Sequence, residues 1–220
     1  MDSTEKKRLL EEYRTVPTGN IADAMALLGL PDAAVTGLVM LHPDQPPAAG
    51  FAVTMQQMPR HAGAPEGNLT RQAAVVDTLR EGDLLVIDVG GRTDISTGGG
   101  MQALRAQIRG AAGYLVNGCL RDVREIAQCK FPVYFKGGCP IKSAPALETV
   151  SVNEPVQIGG VQIKNGDLVV MDDTGVVIVP PEHVAAVLEK GKQIQAKEAH
   201  WVALLREGKT FAEARELVNA

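Results

Sequence analysis

The segment Leu84-Leu85-Val86-Ile87-Asp88-Val89 limits the possible folds more than any other part of the chain. It is a near-continuous apolar run between Gly82-Asp83 and Gly90-Gly91. A strand with one wet face alternates apolar and polar residues. An unbroken run needs cover on both faces, as central strands of parallel sheets have. Met101 to Arg109 then carries a helical pattern, and Ala112-Gly113-Tyr114-Leu115-Val116 is a second apolar run. Strand, helix, strand is a βαβ unit with a right-handed crossover. The expected class is therefore α/β.

The flanks fit that class. Residues 5–14 read as a helix, with Leu9, Leu10 and Tyr13 apolar. Ile21 to Leu28 reads as a second helix, capped by Asn20 and stopped by Gly29 and Pro31. Gly50 to Met55 reads as a strand, 59–68 as a loop, and Leu69 to Leu79 as a helix. Short strands follow at 133–135, 151–153, 156–158, 161–163, 168–171 and 176–179. Gly159-Gly160 and Asp173-Thr174-Gly175 mark turns between them. From Pro181 the pattern is one long helix to about Arg206. At 220 residues, and with roughly 150 residues per domain, one domain over 1–220 is expected.

Charge and composition remove several function classes. The net charge is −4 and aromatic residues are 4%. Duplex nucleic-acid binders need a basic face, and single-strand binders need stacking rings. No apolar run reaches the length of a membrane span. Met1 to Lys7 is polar with no apolar stretch after it, so a cytoplasmic protein without a secretory leader is expected. Cys119, Cys129 and Cys139 are spaced neither as a metal knuckle nor as a redox pair. They read as small buried or half-buried thiols, with Cys119 as a secondary nucleophile candidate.

Four places could carry chemistry. Gly90-Gly91 follows a buried strand. Gly98-Gly99-Gly100 precedes a helix, where backbone N–H groups and the helix dipole attract an anion. No Walker loop or dinucleotide fingerprint is present, so a small carboxylate is a plausible guest. Asn117 to Glu125 follows the strand ending at Val116, and strand carboxyl ends are where open α/β sheets bind ligands. There Arg121 offers a fork of donors and Asp122 a hard oxygen for Mg²⁺. The bland alternative is a surface ion pair. Lastly, Ile194, Glu198, Trp201 and Leu205 share one face of the last helix. Glu198 is then either a stripe-edge residue reaching water or a general base pressed against a partner.

The order and spacing of several segments resemble the RraA-like family. They are Asn20-Ile21-Ala22-Asp23-Ala24, Ala49 to Thr54, Glu81 to Asp88, Gly118-Cys119-Leu120-Arg121-Asp122, Phe131-Pro132-Val133-Tyr134 and Gly166 to Pro180. The resemblance runs from about Thr18 to Glu207. That family includes class II pyruvate aldolases acting on 4-hydroxy-4-methyl-2-oxoglutarate and 4-carboxy-4-hydroxy-2-oxoadipate. It implies an RraA-like αββα sandwich with a swivelling β/β/α-like core and N- and C-terminal helices. It implies homotrimers or hexamers with sites between protomers, the C-terminal helix 181–206 packing on a neighbouring subunit.

It also implies a metal-binding lyase, an aldolase or oxaloacetate decarboxylase, using magnesium or manganese (Mg²⁺ or Mn²⁺) on a small 2-keto acid substrate. By resemblance, Arg121 binds the pyruvyl group, Asp122 ligates the metal and Glu198 is the base from a neighbour. The substrate carboxylate would rest on backbone N–H groups of Gly99, Gly100, Met101 and Gln102. In the best-described aldolases an Asp stands where this chain has Gly100. Members with glycine there carry an acid three residues after the Asp, which here is Glu125. Regulators in the family that inhibit a ribonuclease can lack an intact Arg-Asp pair. A Schiff-base aldolase is the mechanistic rival, with Lys136 as its lysine. The pocket beyond the pyruvyl group is assigned to Pro59–Asn68 and a neighbouring subunit.

Overall fold

The computed structural model describes residues 2–63, 68–144 and 146–219. Helices α1 (Ser3–Tyr13) and α2 (Thr18–Leu27) lead into strands β1 (Ala34–Val35), β2 (Val39–Met40) and β3 (Ala48–Pro59). Helix α3 (Asn68–Thr78), β4 (Asp83–Asp88), α4 (Gly100–Ile108) and β5 (Gly113–Asn117) follow. Next come β6 (Cys119–Leu120), α5 (Val123–Gln128), β7 (Val133–Phe135) and β8 (Gly137–Gly138). Four further antiparallel strands are β9 (Leu147–Val152), β10 (Val156–Ile158), β11 (Val161–Ile163) and β12 (Leu168–Met171). Strand β13 (Val176–Val179), a 3-10 turn (Pro181–His183), α6 (Val184–Arg206) and α7 (Phe211–Asn219) complete the chain.

One mixed sheet runs in the order β1-β13-β12-β3-β4-β5-β7-β2, and β9 pairs with the far end of β3. Strands β3, β4, β5 and β7 are parallel. The two edge strands, β1 and β2, are separated in sequence only by residues 36–38. Such a link spans about 14 Å at most. The edges are therefore drawn toward each other and the sheet curls.

The curl produces the layers. Alternate residues of β4 explain why its run is unbroken. Leu84 and Val86 face inward, with Ala52, Leu115, Val169 and Ile178 and with Ile158 and Ile163 of the β10–β11 hairpin. Leu85 and Ile87 face outward against Val75 of α3, Leu79 just after it, Ala103 of α4 and Ile126 of α5. On the other half of the sheet, α1, α2 and α6 cover Ala49, Leu168, Val170 and Val179. Helix, sheet, sheet, helix is the expected αββα arrangement, with one curled sheet supplying both inner layers. Among the described residues no helix is long and apolar enough to cross a membrane.

Some local expectations change. Asn20 is not an N-cap, because α2 begins three residues earlier, right after Pro17. The Asp172 carboxylate, from the turn after β12, accepts from the Thr18 N–H and hydroxyl, both at 2.7 Å. It caps the helix from a distance, which frees Asn20 to be buried inside it. Helix α7 and the two-residue strands were not anticipated.

The three tyrosines are all buried, and each hydroxyl donates to a backbone carbonyl: Tyr13 to Val184, Tyr114 to Gln102 and Tyr134 to Asp172. Burial raises all three phenols. Tyr134 is pushed up to about 12 by burial and by the charges of Asp172 and Asp173. The unfolded chain therefore loses these protons first, and stability falls as pH rises from about 10 through 12. Tyrosinate absorbance should appear together with loss of helical circular dichroism. Titration of any tyrosine in the folded protein near pH 10 would contradict this.

Candidate active site

The chain turns sharply where β5 ends. After Gly118, β6 pairs in parallel with β8, and Arg121 and Asp122 follow. Residues 96–100 run alongside. Thr97 N donates to Cys119 O at 2.8 Å, and Arg121 N donates to Gly98 O at 3.0 Å. These bonds stitch the glycine loop to the Arg-Asp segment.

Asp122 is the residue before α5 and adopts a left-handed conformation, φ 57°. Asp tolerates that region better than bulkier residues. The turn aims its carboxylate back at the loop. Oδ2 accepts from Gly100 N at 3.1 Å and from Arg121 Nε at 3.3 Å. Arg121 is 45% exposed and Asp122 32%, so both reach solvent.

The three loop glycines let neighbouring side chains approach the loop closely. A Cβ on Gly99 would lie 2.4 Å from Asp122 Oδ2 and 2.9 Å from Arg121 Cγ. On Gly100 it would lie 2.7 Å from Glu125 Oε2 and 3.3 Å from Asp122 Cβ. On Gly98 it would lie 2.6 Å from Gln102 Oε1. The expected residues Gly99, Gly100, Gln102, Arg121, Asp122 and Glu125 are thus neighbours. The Gly100 N–H is engaged by Asp122, and the Gln102 N–H by Gly99 O. That leaves Gly99 N–H and Met101 N–H as the cradle's unengaged donors among the described residues.

Among the described residues no three His, Cys, Asp or Glu side chains converge as a preformed metal cage. Mg²⁺ needs less, because it keeps several waters and binds through one or two carboxylates plus substrate. Asp122 and Glu125 both border Gly100 and fit that pattern.

Behind the loop lies a buried polar network that the sequence reading missed. Gln72 of α3 donates to Thr97 O and Gln102 Oε1, and accepts from Gln57 Nε2. Thr97 Oγ1 donates to Gln57 Oε1. Gln72 and Gln57 are 1% exposed. Their signal was a glutamine on the apolar side of a helix and another inside a strand. Gln72→Leu strands the Thr97 carbonyl and should cost about 1–3 kcal/mol. At about 2–4 °C per kcal/mol, Tm should fall by several degrees. An unchanged melting curve would mean the network does not hold the loop.

The other candidates sit elsewhere. Glu198 lies in the opposite helical layer, exposed, where its Oε2 accepts from Asn20 Nδ2 at 2.7 Å. Ile194 and Trp201 on the same face are half-buried. Cys119 is buried, its Sγ donating to Thr93 O, and burial pushes the thiol up. That disfavours a nucleophilic thiolate. Lys136 follows β7 and does not line the cavity of about 330 Å³ beside Arg121 and Asp122. Of the segment Pro59–Asn68, residues 64–67 lie outside the described residues. A separate cavity of about 930 Å³ opens at the amino ends of β3, β4, β5 and β7, away from this chemistry.

A strand-end Arg-Asp pair facing a glycine loop, on a curled α/β sheet, defines a class of protein. The chain belongs to the RraA-like family (Aldolase/RraA), which matches residues 18–178. It is 32% identical over 189 residues to a Halalkalibacterium halodurans protein named "Putative 4-hydroxy-4-methyl-2-oxoglutarate aldolase", covering 86% of this chain and 84% of that one. It is 37% identical over 108 residues to an uncharacterised protein of Methanocaldococcus jannaschii, covering 49% of this chain and 51% of that one. The chain thus spans about half the length of this second relative. Among solved structures it is similar to Streptomyces coelicolor RraAS2, with TM-score 0.77 and 26% identity over 90% of this chain and 96% of that one. That protein is described as an unusual member of the RNase ES inhibitor RraA protein family.

Proposed function

We propose that the chain is a divalent-metal-dependent lyase that cleaves the C3–C4 bond of a 2-keto acid. The carrying observation is the convergence of Arg121, Asp122 and Glu125 on the Gly98–Gly100 loop. The relative named as an aldolase supports the same reading. Asp122 and Glu125 would hold Mg²⁺ or Mn²⁺, which supplies Lewis-acid polarisation of the keto acid when bound.

The chain's own groups do the rest. Met101 N–H and Gly99 N–H receive the substrate carboxylate at the start of α4, where the helix dipole adds to the attraction. Arg121 donates to the keto oxygen. Breaking C3–C4 leaves a pyruvate enolate, and Arg121 stabilises the charge that develops on that oxygen. Loss of CO₂ from oxaloacetate needs no base. Aldol cleavage needs one to take the C4 hydroxyl proton, and Glu198 of a second copy fills that role. Within one chain Glu198 lies in the wrong layer.

A homotrimer or hexamer would bring the two together. Support for assembly comes from α4, where Met101, Leu104 and Ile108 form an exposed apolar face beginning at the loop.

The likeness to RraAS2 supports a second reading, a non-catalytic protein that binds a ribonuclease. The intact Arg121-Asp122 pair favours the enzyme. The test is a coupled assay of pyruvate release from oxaloacetate and several 4-hydroxy-2-oxo diacids. Activity should require Mg²⁺ or Mn²⁺, vanish in EDTA and return when metal is restored. Borohydride with pyruvate should trap no lysine adduct. Absence of pyruvate release from the whole panel, with ribonuclease inhibition instead, would establish the second reading.

A further inference from the structure

The cavity of about 930 Å³ lies at the amino ends of the parallel strands, the end opposite Arg121 and Asp122. It shares no lining residue with the cavity beside that pair. One wall is a single face of α1 and its C-cap. Ser3, Lys7, Leu10 and Arg14 recur every three or four residues and all line it. From Ser3 to Arg14 that wall runs about 16 Å at 1.5 Å per residue. The end of α4 and the segments leading into β5 and β7 supply the rest, with Arg109, Ala111, Lys130 and Pro132.

The chain carries a net charge of −4, yet this lining is basic. It holds Lys6, Lys7, Arg14, Arg109 and Lys130 against Glu11 and Glu81. Two of the cations are neutralised in place. Lys6 lies 3.4 Å from Asp83, and Lys7 lies 3.2 Å from Glu81. The Arg14 guanidinium and the Lys130 ammonium make no hydrogen bond or ion pair among the described residues. Arg109 is anchored through Nε, which donates to Leu79 O at 3.0 Å, so both of its Nη groups stay unengaged among those residues. Three elements thus bring cations with spare donors to one cavity. A cleft lined by one sign of charge focuses its field on an ion of the other sign.

The floor beneath them is apolar. Leu10, Ala48 and Phe131 are buried there, and Pro46, Pro47 and Pro132 stand beside them. An inorganic anion leaves that floor uncovered. A fatty acid, with its single carboxylate, leaves cations unpaired. Two acceptors complete the lining. Glu11 has no partner among the described residues, and Gln107 Oε1 is unengaged because its Nε2 donates to Cys129 O.

We propose that this cavity binds a nucleoside diphosphate. Its phosphates lie on Arg14, Arg109 and Lys130, its base covers the apolar floor, and its ribose hydroxyls donate to Glu11 and Gln107. Guanidinium forks meet phosphate oxygens two at a time. A Walker loop is not required, because side chains rather than a backbone nest supply the donors. The site is separate from the proposed lyase centre and stands whether or not that reading holds.

Calorimetric titration of the full chain without divalent metal tests it, using ADP, GDP, CDP, UDP, their nucleosides and pyrophosphate. At least one nucleoside diphosphate should bind with Kd below about 1 mM. It should bind about tenfold more tightly than pyrophosphate, which lacks the apolar body, and its nucleoside should not bind. Arg14→Gln and Lys130→Gln should each weaken it about tenfold, the loss of one charge-assisted hydrogen bond. Both side chains are exposed and unpaired, so the melting curves should not move. Arg105→Gln, on α4 but outside the lining, and Arg121→Ala should bind like wild type. The proposal is overturned if no nucleoside diphosphate binds, or if pyrophosphate or the nucleoside binds as tightly. It is equally overturned if Arg14→Gln and Lys130→Gln bind like wild type. Equal weakening by Arg105→Gln would reduce the effect to diffuse surface charge, and loss of binding in Arg121→Ala would put the nucleotide at the lyase centre; either result also overturns it.

Discussion

Arg121→Ala should lower kcat/KM for pyruvate formation from oxaloacetate by about 10²–10³-fold at saturating Mg²⁺, the usual loss when one charge-stabilising donor is removed. Its melting curve should hardly move. The side chain is 45% exposed and its ion pair is the 3.3 Å contact with Asp122. Exposed pairs of this kind contribute about 0–1 kcal/mol. A large catalytic loss without a stability loss separates a residue that meets the substrate from one that merely holds the loop. Arg121→Lys should recover only part of the rate, because an ammonium lacks the planar fork that meets two oxygens at once. Steady-state kinetics and thermal melts on the same preparations decide it. Turnover within a few-fold of wild type in Arg121→Ala would overturn the proposed mechanism.

The buried strands were legible because their signal is local. Six residues from Leu84 to Val89 that are nearly all apolar have few other places to go. The hairpin at Gly159-Gly160 was legible for the same reason, since φ is positive at both glycines. The Arg121-Asp122 pair was legible from its position after a buried strand. What could not be read depends on register between distant segments. The two-residue pairing of β6 with β8 is too short to leave a periodicity. Nothing in Gln57, Gln72 or Thr97 taken singly shows that they meet behind the loop. Arg14, Arg109 and Lys130 line one cavity only once α1, α4 and α5 are packed around the same strand ends. Asn20 failed as a cap because the group that caps α2 is Asp172, on a turn far along the chain.

Gly100 is where the sequence departs from the best-described aldolase pattern, and the structure gives that departure a physical form. A side chain at position 100 would enter the space that Glu125 fills, its Cβ 2.7 Å from Oε2. Position 100 opens α4 and its φ is not positive, so an aspartate there carries no backbone strain. The obstacle is the occupant. Gly100→Asp should therefore crowd a third carboxylate against Asp122 and Glu125, and like charges this close resist being ionised together. Asp122 and Glu125, the proposed metal ligands, would then shift, and a displacement of about 1 Å at a reacting centre costs on the order of 10²-fold in rate. Glu125→Ala alone removes one carboxylate and should also lower activity. In the double variant Gly100→Asp/Glu125→Ala one carboxylate replaces the other across the same gap. Its kcat/KM should recover to within about tenfold of wild type, far above the product of the single losses, which is the non-additivity expected of groups in contact. Mg²⁺ dependence of the rate should recover in parallel. If the double variant instead multiplies the two losses, Gly100 and Glu125 are not two halves of one acidic position, and Glu125 has no part in holding the metal.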